Sequence, residues 1–361
     1  MPEFNYRMLT LAREVRGLTQ SELSKLTQTD QGYLSKVEKG LIKMPTTDLL
    51  DKYAIALNFP IDFFFQEGNK TLISDFFYRK RISIPVKAKT KIEAEIDLMR
   101  LIYQKLLKSV EIPEPRFPAV TVNSNFTALD AAIIAREFYR IPKGAIVNIV
   151  STLEKNGVAI ILLNSRNDKF DGMTVYTDSN HPVIVLNKNM PNDRKRFTIA
   201  HELGHQIMHL PHRYDFEMYD RLSSDPNALE KEADAFAAEF LMPKRDIFPE
   251  LNNLKYNDLA QLKLYWHVSK KALIYRAKTL NCIDEYKYKN LLIELSRRGE
   301  RIKEDFDVFL EEPKLFRQIF DAYKGHLKYS LTDLSLYLTI SENEITKIMN
   351  ENNGSKLRIA I

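Results

Sequence analysis

Apolar residues recur along this chain in textures that change from stretch to stretch, and each texture predicts different elements. Over residues 1–66 they return at the spacing of short helices, with polar turns between them. Leu9, Leu11, Ala12 and Val15 begin a helix that Gly17 ends. Thr19 starts the next, TQSELSKLT, and Glu22 at its third position completes a capping box with Thr19. Asp30 caps QGYLSKVEKG, which Gly40 stops, and Pro45 and Thr46 open a helix reaching Leu57. Leu23, Leu26, Leu34 and Val37 are expected to pack the two short helices together. Pro60 precedes Phe63, Phe64 and Phe65, which read as a packed lid because three adjacent exposed rings would be costly.

Residues 67–118 read as a basic, partly helical linker. Arg79, Lys80, Arg81, Lys87, Lys89 and Lys91 fall in one stretch without an acidic residue. A helical pattern follows from about Ile92 to Val110 and ends in IPEPRFP at 112–118. The basic stretch suits either phosphate contacts or a solvated surface.

From 119 to 245 the pattern is mixed. A helix over Ala128 to Tyr139 precedes three apolar, β-branched runs at 158–163, 173–177 and 183–187, each bounded by turn residues. Two helices are predicted next, at about 193–210 and 226–241. From 246 to 361 the chain reads as helical, and 255–281 and 330–350 both carry helix-turn-helix spacing. Trp266, near the first of these turns, is expected to pack in a core.

Composition changes this picture little. A formal net charge of +5 permits nucleic-acid contact without arguing for it, because placement of charge matters more than its sum. The single cysteine, Cys282, excludes an internal disulfide framework and any Cys-rich zinc site. The N-terminus lacks an apolar stretch of signal-peptide type, and no run is long enough to span a membrane. A cytoplasmic protein without a membrane partner is expected.

Chemistry concentrates in RFTIAHELGHQIMHL at 196–210. His201 and His205 stand four apart, so on a helix they project from one face and can share an ion. Glu202 lies between them, where it could take a proton from a metal-bound water, the HExxH arrangement of zincin metallopeptidases. A catalytic zinc needs a third protein ligand. The segment DPNALEKEADAFAAEFLMP at 225–243 offers one: Asp225 or Ser224 caps a helix with Pro226 at its first position, and Glu230 and Asp234 share a face. Glu230 suits the ligand role, and Asp234 suits a hydrogen bond to the far nitrogen of a ligating histidine. Glu232 points elsewhere on the helix and reads as a surface carboxylate. Gly204 would let another element approach closely, and His209, one turn past His205, suits a packing or rim role. The oxyanion donor, commonly worth about 3 kcal/mol, is left open among Tyr176, His212, Tyr214 and Tyr219.

The pair RFTIAHELGH and EKEADAFAAEFLMP resembles the ImmA/IrrE family of metallopeptidases, and the likeness extends over about 119–245, including VIVLN before the first metal helix. That resemblance implies a zincin-like core and Zn2+, with His201, His205 and Glu230 as ligands and Glu202 as the general base. Asp234 stands where the family often has Asn. It also implies a protein substrate, since many members cut a transcriptional repressor, and a helical segment after the peptidase.

GLTQSELSKLTQTDQGYLSKVEKG at 17–40, with the helix after Pro45, resembles the Cro/repressor-type helix-turn-helix family. In such folds the start of the second helix enters the major groove. Gln31, Tyr33 and Lys36 are then the expected base contacts in an operator duplex, and Gln20 the expected phosphate contact, with Arg13 or Lys39 as further candidates. Eight basic residues face eight acidic ones within 1–66, so the domain is not basic overall. Such readers commonly pair on two half-sites, so a homodimer is expected.

The expected fold is multidomain and mainly α. A five-helix helix-turn-helix domain (1–66) and the linker (67–118) precede an α+β zincin-like peptidase core (119–245) and a helical C-terminal region (246–361). The expected function is a transcriptional regulator fused to a zinc peptidase that cuts itself or a partner repressor. Two other functions suit the same residues: a non-catalytic regulator whose peptidase-like domain senses a signal, and a phage-immunity or antitoxin component.

Overall fold

Every residue of strands β1 (Ala159–Leu163) and β3 (Pro182–Asn187) is buried, which explains why both read as unbroken apolar runs rather than alternating ones. The computed structural model describes residues 3–67, 84–123, 125–212, 225, 227–301, 303–309 and 311–352. Its sheet has the order β1-β3-β2, with β2 spanning Gly172–Tyr176. β1 runs parallel to β3 in the register Ala159 to Val183, and β2 runs antiparallel to it in the register Thr174 to Ile184. One edge of the sheet is closed by a side chain: Asn352 accepts from Leu162 N at 2.8 Å and donates to Leu162 O at 3.2 Å.

Because successive strand residues face opposite sides, the sheet separates two apolar cores. Ala159, Ile161, Leu163, Met173, Val175, Val183 and Val185 belong to one, and Ile160, Leu162, Ile184 and Leu186 to the other. The first core is closed by the N-terminal helices α1 (Tyr6–Val15), α2 (Gln20–Thr27), α3 (Gln31–Glu38) and α4 (Thr47–Leu57), by α5 (Val86–Leu106), and by three C-terminal helices. The second holds α6 (Ala128–Phe138), α7 (Ile149–Glu154), α8 (Asn192–Gly204), α9 (Ala228–Leu241), α10 (Lys244–Leu251), α11 (Leu259–Trp266), α12 (Lys270–Thr279) and α13 (Glu285–Arg297).

Local signals in the N-terminal domain form as expected. Thr19 and Glu22 make a capping box, Asp30 Oδ1 accepts from Tyr33 N at 2.7 Å, and Phe63 and Phe64 are fully buried in a 3-10 turn, Ile61–Phe65. Where five helices were expected, the domain has four α-helices and this 3-10 turn. Leu26 corrects the expectation: it is 61% exposed and takes no part in joining α2 to α3. Leu23, Ser24 and Thr27 are the buried face of that short helix, which leaves Leu26 on the opposite side.

α5 starts earlier than expected and is packed along its length, with Ile96, Leu98, Leu101, Ile102 and Tyr103 buried among both the N-terminal helices and the sheet. Its buried Arg100 pairs with Asp97 at 2.7 Å within the helix and reaches Asp178, beyond β2, at 3.3 Å. Lys87, Lys89 and Lys91 stand in its first turns, and Lys87 Nζ lies 2.6 Å from Glu22 Oε1 of α2. Arg79, Lys80 and Arg81 lie outside the described residues.

The C-terminal helices α14 (Leu315–Gly325), α15 (Leu331–Leu338) and α16 (Glu342–Glu351) close the first core from the far side. The chain reaches them through 300–314, which passes the start of α8 and is tied there by buried charges. Glu311 pairs with Arg196, Glu304 with Lys263 at 2.8 Å, and Glu300 with Lys270 at 2.6 Å. Glu154, at the end of α7, accepts from Lys314 N and Leu315 N where α14 begins. Trp266 is buried at 1% exposure, and its indole N–H donates to Glu250 at 2.9 Å, a packing role.

The helix-turn-helix spacings at 255–281 and 330–350 are realised with the same turn as α2–α3. Each first helix has eight residues and is followed by one left-handed residue, Gln28 (φ 53°), His267 (φ 55°) or Thr339 (φ 55°). Two residues later comes the next cap: Asp30, Ser269 or Ser341. The later two units are built into the cores. Lys270 at the start of α12 is buried against Glu300 and Asp305, and Glu344 at the start of α16 lies 3.1 Å from Arg16.

Candidate metal centre and nucleic-acid interface

α8 is held between two neighbours that glycines allow to come close. A Cβ on Gly172 of β2 would meet Thr198 at 2.8 Å and Leu186 at 2.7 Å, and a Cβ on Gly204 would meet the Phe236 ring of α9 at 3.0 Å. The expected close approach at Gly204 is therefore a contact with α9. After Gly204 the helix widens into a π turn, His205–His209, then a 3-10 turn, Leu210–His212. Such turns often mark functional sites. α9 begins at Ala228; Asp225 accepts from Asn227 N at 2.9 Å just before it, while Ser224 and Pro226 lie outside the described residues.

His201, His205 and Glu230 converge. The Nε2 atoms of the two imidazoles are 3.1 Å apart, and Glu230 lies 3.6 Å from His201 Nε2 and 3.3 Å from His205 Nε2. These three side chains form the one group of potential metal ligands among the described residues, with all donor atoms within 4.8 Å of one another. Both rings are buried. Burial, reinforced by the nearby His201, holds His205 below its ordinary pKa against the opposing pull of Glu230, favouring the neutral form a metal ligand requires.

The far nitrogen of each imidazole also has a partner. His201 Nδ1 lies 2.8 Å from Asp234 Oδ1. His205 Nδ1 lies 2.8 Å from His209 Nδ1, and His209 Nε2 lies 3.0 Å from Glu232 Oε2. Glu232 is thus no surface carboxylate: its side chain is 23% exposed and engaged with a histidine that is 1% exposed. The widened coil carries His209 to the flank of α9 on which Glu232 stands, and regular helix angles do not anticipate this. The repeated four-residue spacing of His201, His205 and His209 was the available signal.

Glu202 faces β2. Its Oε2 accepts from Thr174 N at 3.0 Å and from Thr174 Oγ1 at 2.8 Å, and Gln206 donates to the same hydroxyl at 3.3 Å. Thr174 was not singled out in the sequence, where it is one β-branched residue in a strand. Tyr176 follows on the same strand; Tyr214, Tyr219 and the His212 ring lie outside the described residues.

In the N-terminal domain, Gln31 and Lys36 of α3 are exposed, and Tyr33 is half-buried against the core. Gln31 Nε2 lies 3.4 Å from Gln20 Oε1, and Gln20 donates to Glu38 at 2.8 Å, so the starts of α2 and α3 present two linked amides. Arg13 is not available to phosphate. It is 8% exposed, bound to both Glu38 oxygens at 2.6 and 2.8 Å, and donates to Leu18 O at 2.7 Å. Lys39 is exposed. No helix among the described residues is long and apolar enough to cross a membrane.

Comparison with known proteins places a family match over each of the two regions. Residues 154–278, from the end of α7 through most of α12, match the model of the M78 peptidase family described as the IrrE N-terminal-like domain. Residues 9–64 match the helix-turn-helix family model. No curated protein matches the chain.

Proposed function

We propose that this chain, an IrrE/ImmA-type peptidase domain fused behind an N-terminal helix-turn-helix domain, is a DNA-binding transcriptional regulator that hydrolyses a peptide bond in itself or in a partner repressor. The observation that carries the reading is the convergence of His201, His205 and Glu230 beside Glu202. The donor set suits zinc: two imidazole nitrogens and one carboxylate oxygen, with the far nitrogen of each ring already engaged. Bound there, zinc would supply Lewis acidity and a water acidic enough to ionise near neutral pH.

The protein's own groups do the rest. Thr174 holds one oxygen of Glu202, and the other, Oε1, takes the nucleophile's proton and returns it to the leaving amine. Asp234 fixes the His201 ring so that its Nε2 faces the ligand cluster. β2, an edge strand beside α8, is the natural place for an extended substrate segment to lie. At the other end, Gln31, Tyr33 and Lys36 would read base edges and Gln20 a phosphate, in a dimer spanning two half-sites.

The test is incubation of the zinc-loaded full-length chain, alone and with candidate repressors, read by intact mass. Cleavage is expected from the native chain and should be lost in Glu202→Gln with zinc retained. Fragments appearing at an undiminished rate in that variant would remove the chemistry. A second reading, a non-catalytic sensor, is favoured by the shared sheet, whose two faces belong to the metal-helix core and the helix-turn-helix core. It expects operator affinity to follow zinc occupancy with no fragment formed.

A further inference from the structure

We propose that His209 and Glu232 form a positioning relay for the candidate ligand His205, an inference that rests on the zinc reading above. His205 directs Nε2 at the ligand cluster, 3.3 Å from Glu230. To bind a metal through that atom, a neutral imidazole must carry its proton on Nδ1. That proton needs an acceptor in a site where the ring is 2% exposed.

His209 Nδ1 stands there at 2.8 Å. Accepting at Nδ1 leaves the His209 proton on Nε2, which lies 3.0 Å from the Glu232 carboxylate. With both rings neutral, one arrangement of protons suits the His205–His209 and His209–Glu232 contacts together: Glu232 accepts from His209, His209 accepts from His205, and His205 Nε2 keeps its lone pair for the metal. The reverse arrangement, with His209 Nδ1 donating, would put the His205 proton on Nε2 and block ligation. The relay thus selects the ligating tautomer of His205 through two links, as Asp234 does for His201 through one.

The two halves of the relay come from separate devices in the fold. The π turn after Gly204 carries both His205 and His209, and α9 supplies Glu232 two residues after Glu230. One helix therefore presents both a ligand and the anchor of the neighbouring ligand's orientation.

The experiment measures zinc affinity of the full-length protein by competition with a chromophoric chelator, and the visible spectrum of the Co2+-substituted protein. His209→Ala and Glu232→Ala are each expected to weaken zinc binding about 10- to 100-fold, as loss of partners behind a ligand usually does. Both should also shift the Co2+ bands. Because the relay acts as one unit, the double variant should be no more than about 2-fold weaker than the worse single variant. Glu232→Gln keeps an acceptor for His209 and should restore affinity to within about 3-fold of the native chain. Glu232 stands at the rim, so its variants separate the effect from folding, which urea unfolding of the apo-protein checks. Native zinc affinity with unchanged Co2+ bands in both alanine variants would overturn the relay while leaving the metal site intact. So would losses that multiply in the double variant. Failure of the native chain to bind zinc at all would overturn the metal reading and the relay with it.

Discussion

Asp234 shows how a single contact separates geometry from charge. Its carboxylate lies 2.8 Å from His201 Nδ1 and is partly open to solvent, with a side chain 46% exposed. Asn at this place would still offer a carbonyl oxygen to the imidazole N–H. Asp234→Asn is therefore expected to bind zinc within a few-fold of the native chain, whereas Asp234→Ala should bind about 10- to 100-fold more weakly. Chelator competition distinguishes the two, and equal affinity in Asp234→Ala would show that the contact does not orient the ring. The pair of histidines, the acid between them and Glu230 could be read from the sequence because helix periodicity alone puts them on facing surfaces. Thr174, His209 and Glu232 could not. Thr174 reaches Glu202 across from a strand, and the other two meet from two helices, His209 standing at the end of the π turn.

At the scale of elements, α8 is the piece on which the site depends, and its closeness to α9 is set by Gly204. The Phe236 ring that a Cβ would meet at 3.0 Å is fully buried and stacked on Phe240 at 5.5 Å, so it has little room to yield. Alanine would gain about 1 kcal/mol of helix propensity but overpack the contact by about 1–3 kcal/mol. Gly204→Ala should lower stability by about 1 kcal/mol in urea unfolding and weaken zinc, because α9 carries Glu230. A more stable variant with native zinc affinity would show that α9 can retreat at no cost. Elements whose signals lie within one turn, such as the capping box of Thr19 and Glu22, were plain in the sequence. Those decided by facing direction were not. Leu26 is apolar yet exposed, Arg13 is basic yet buried on Glu38, and α5 shows a lysine-rich start while its later turns are core.

For the whole molecule, the sheet and the C-terminal helices join the helix-turn-helix end to the metal-helix end, and two largely buried carboxyls sit in that junction. Glu154, where α14 begins, is pushed up to about 7 by burial, against the pull of the Lys314 and Leu315 amides. Glu95 of α5 is pushed up to about 7 mainly by burial, with Glu351 and Glu344 raising it and Lys91 and Lys347 opposing. Both groups hold their protons more tightly folded than unfolded, where their value is near 4.5. Their contribution is complete below about 4.5 and is lost as pH climbs through about 7, on the order of 3 kcal/mol each if the full shift is realised. Stability of the native chain should thus fall between these limits, and the Glu95→Gln, Glu154→Gln double variant should flatten the profile. An unaltered pH profile in the double variant would show that the junction is not where the dependence arises.

The same junction guards the sheet. Asn352 occupies both hydrogen-bonding groups of Leu162 with an amide, which imitates a neighbouring strand while having no further strand to offer. Were that amide withdrawn, the bare rim of β1 would invite strands of other molecules to add on, and chain-to-chain fibril growth would compete with the native fold.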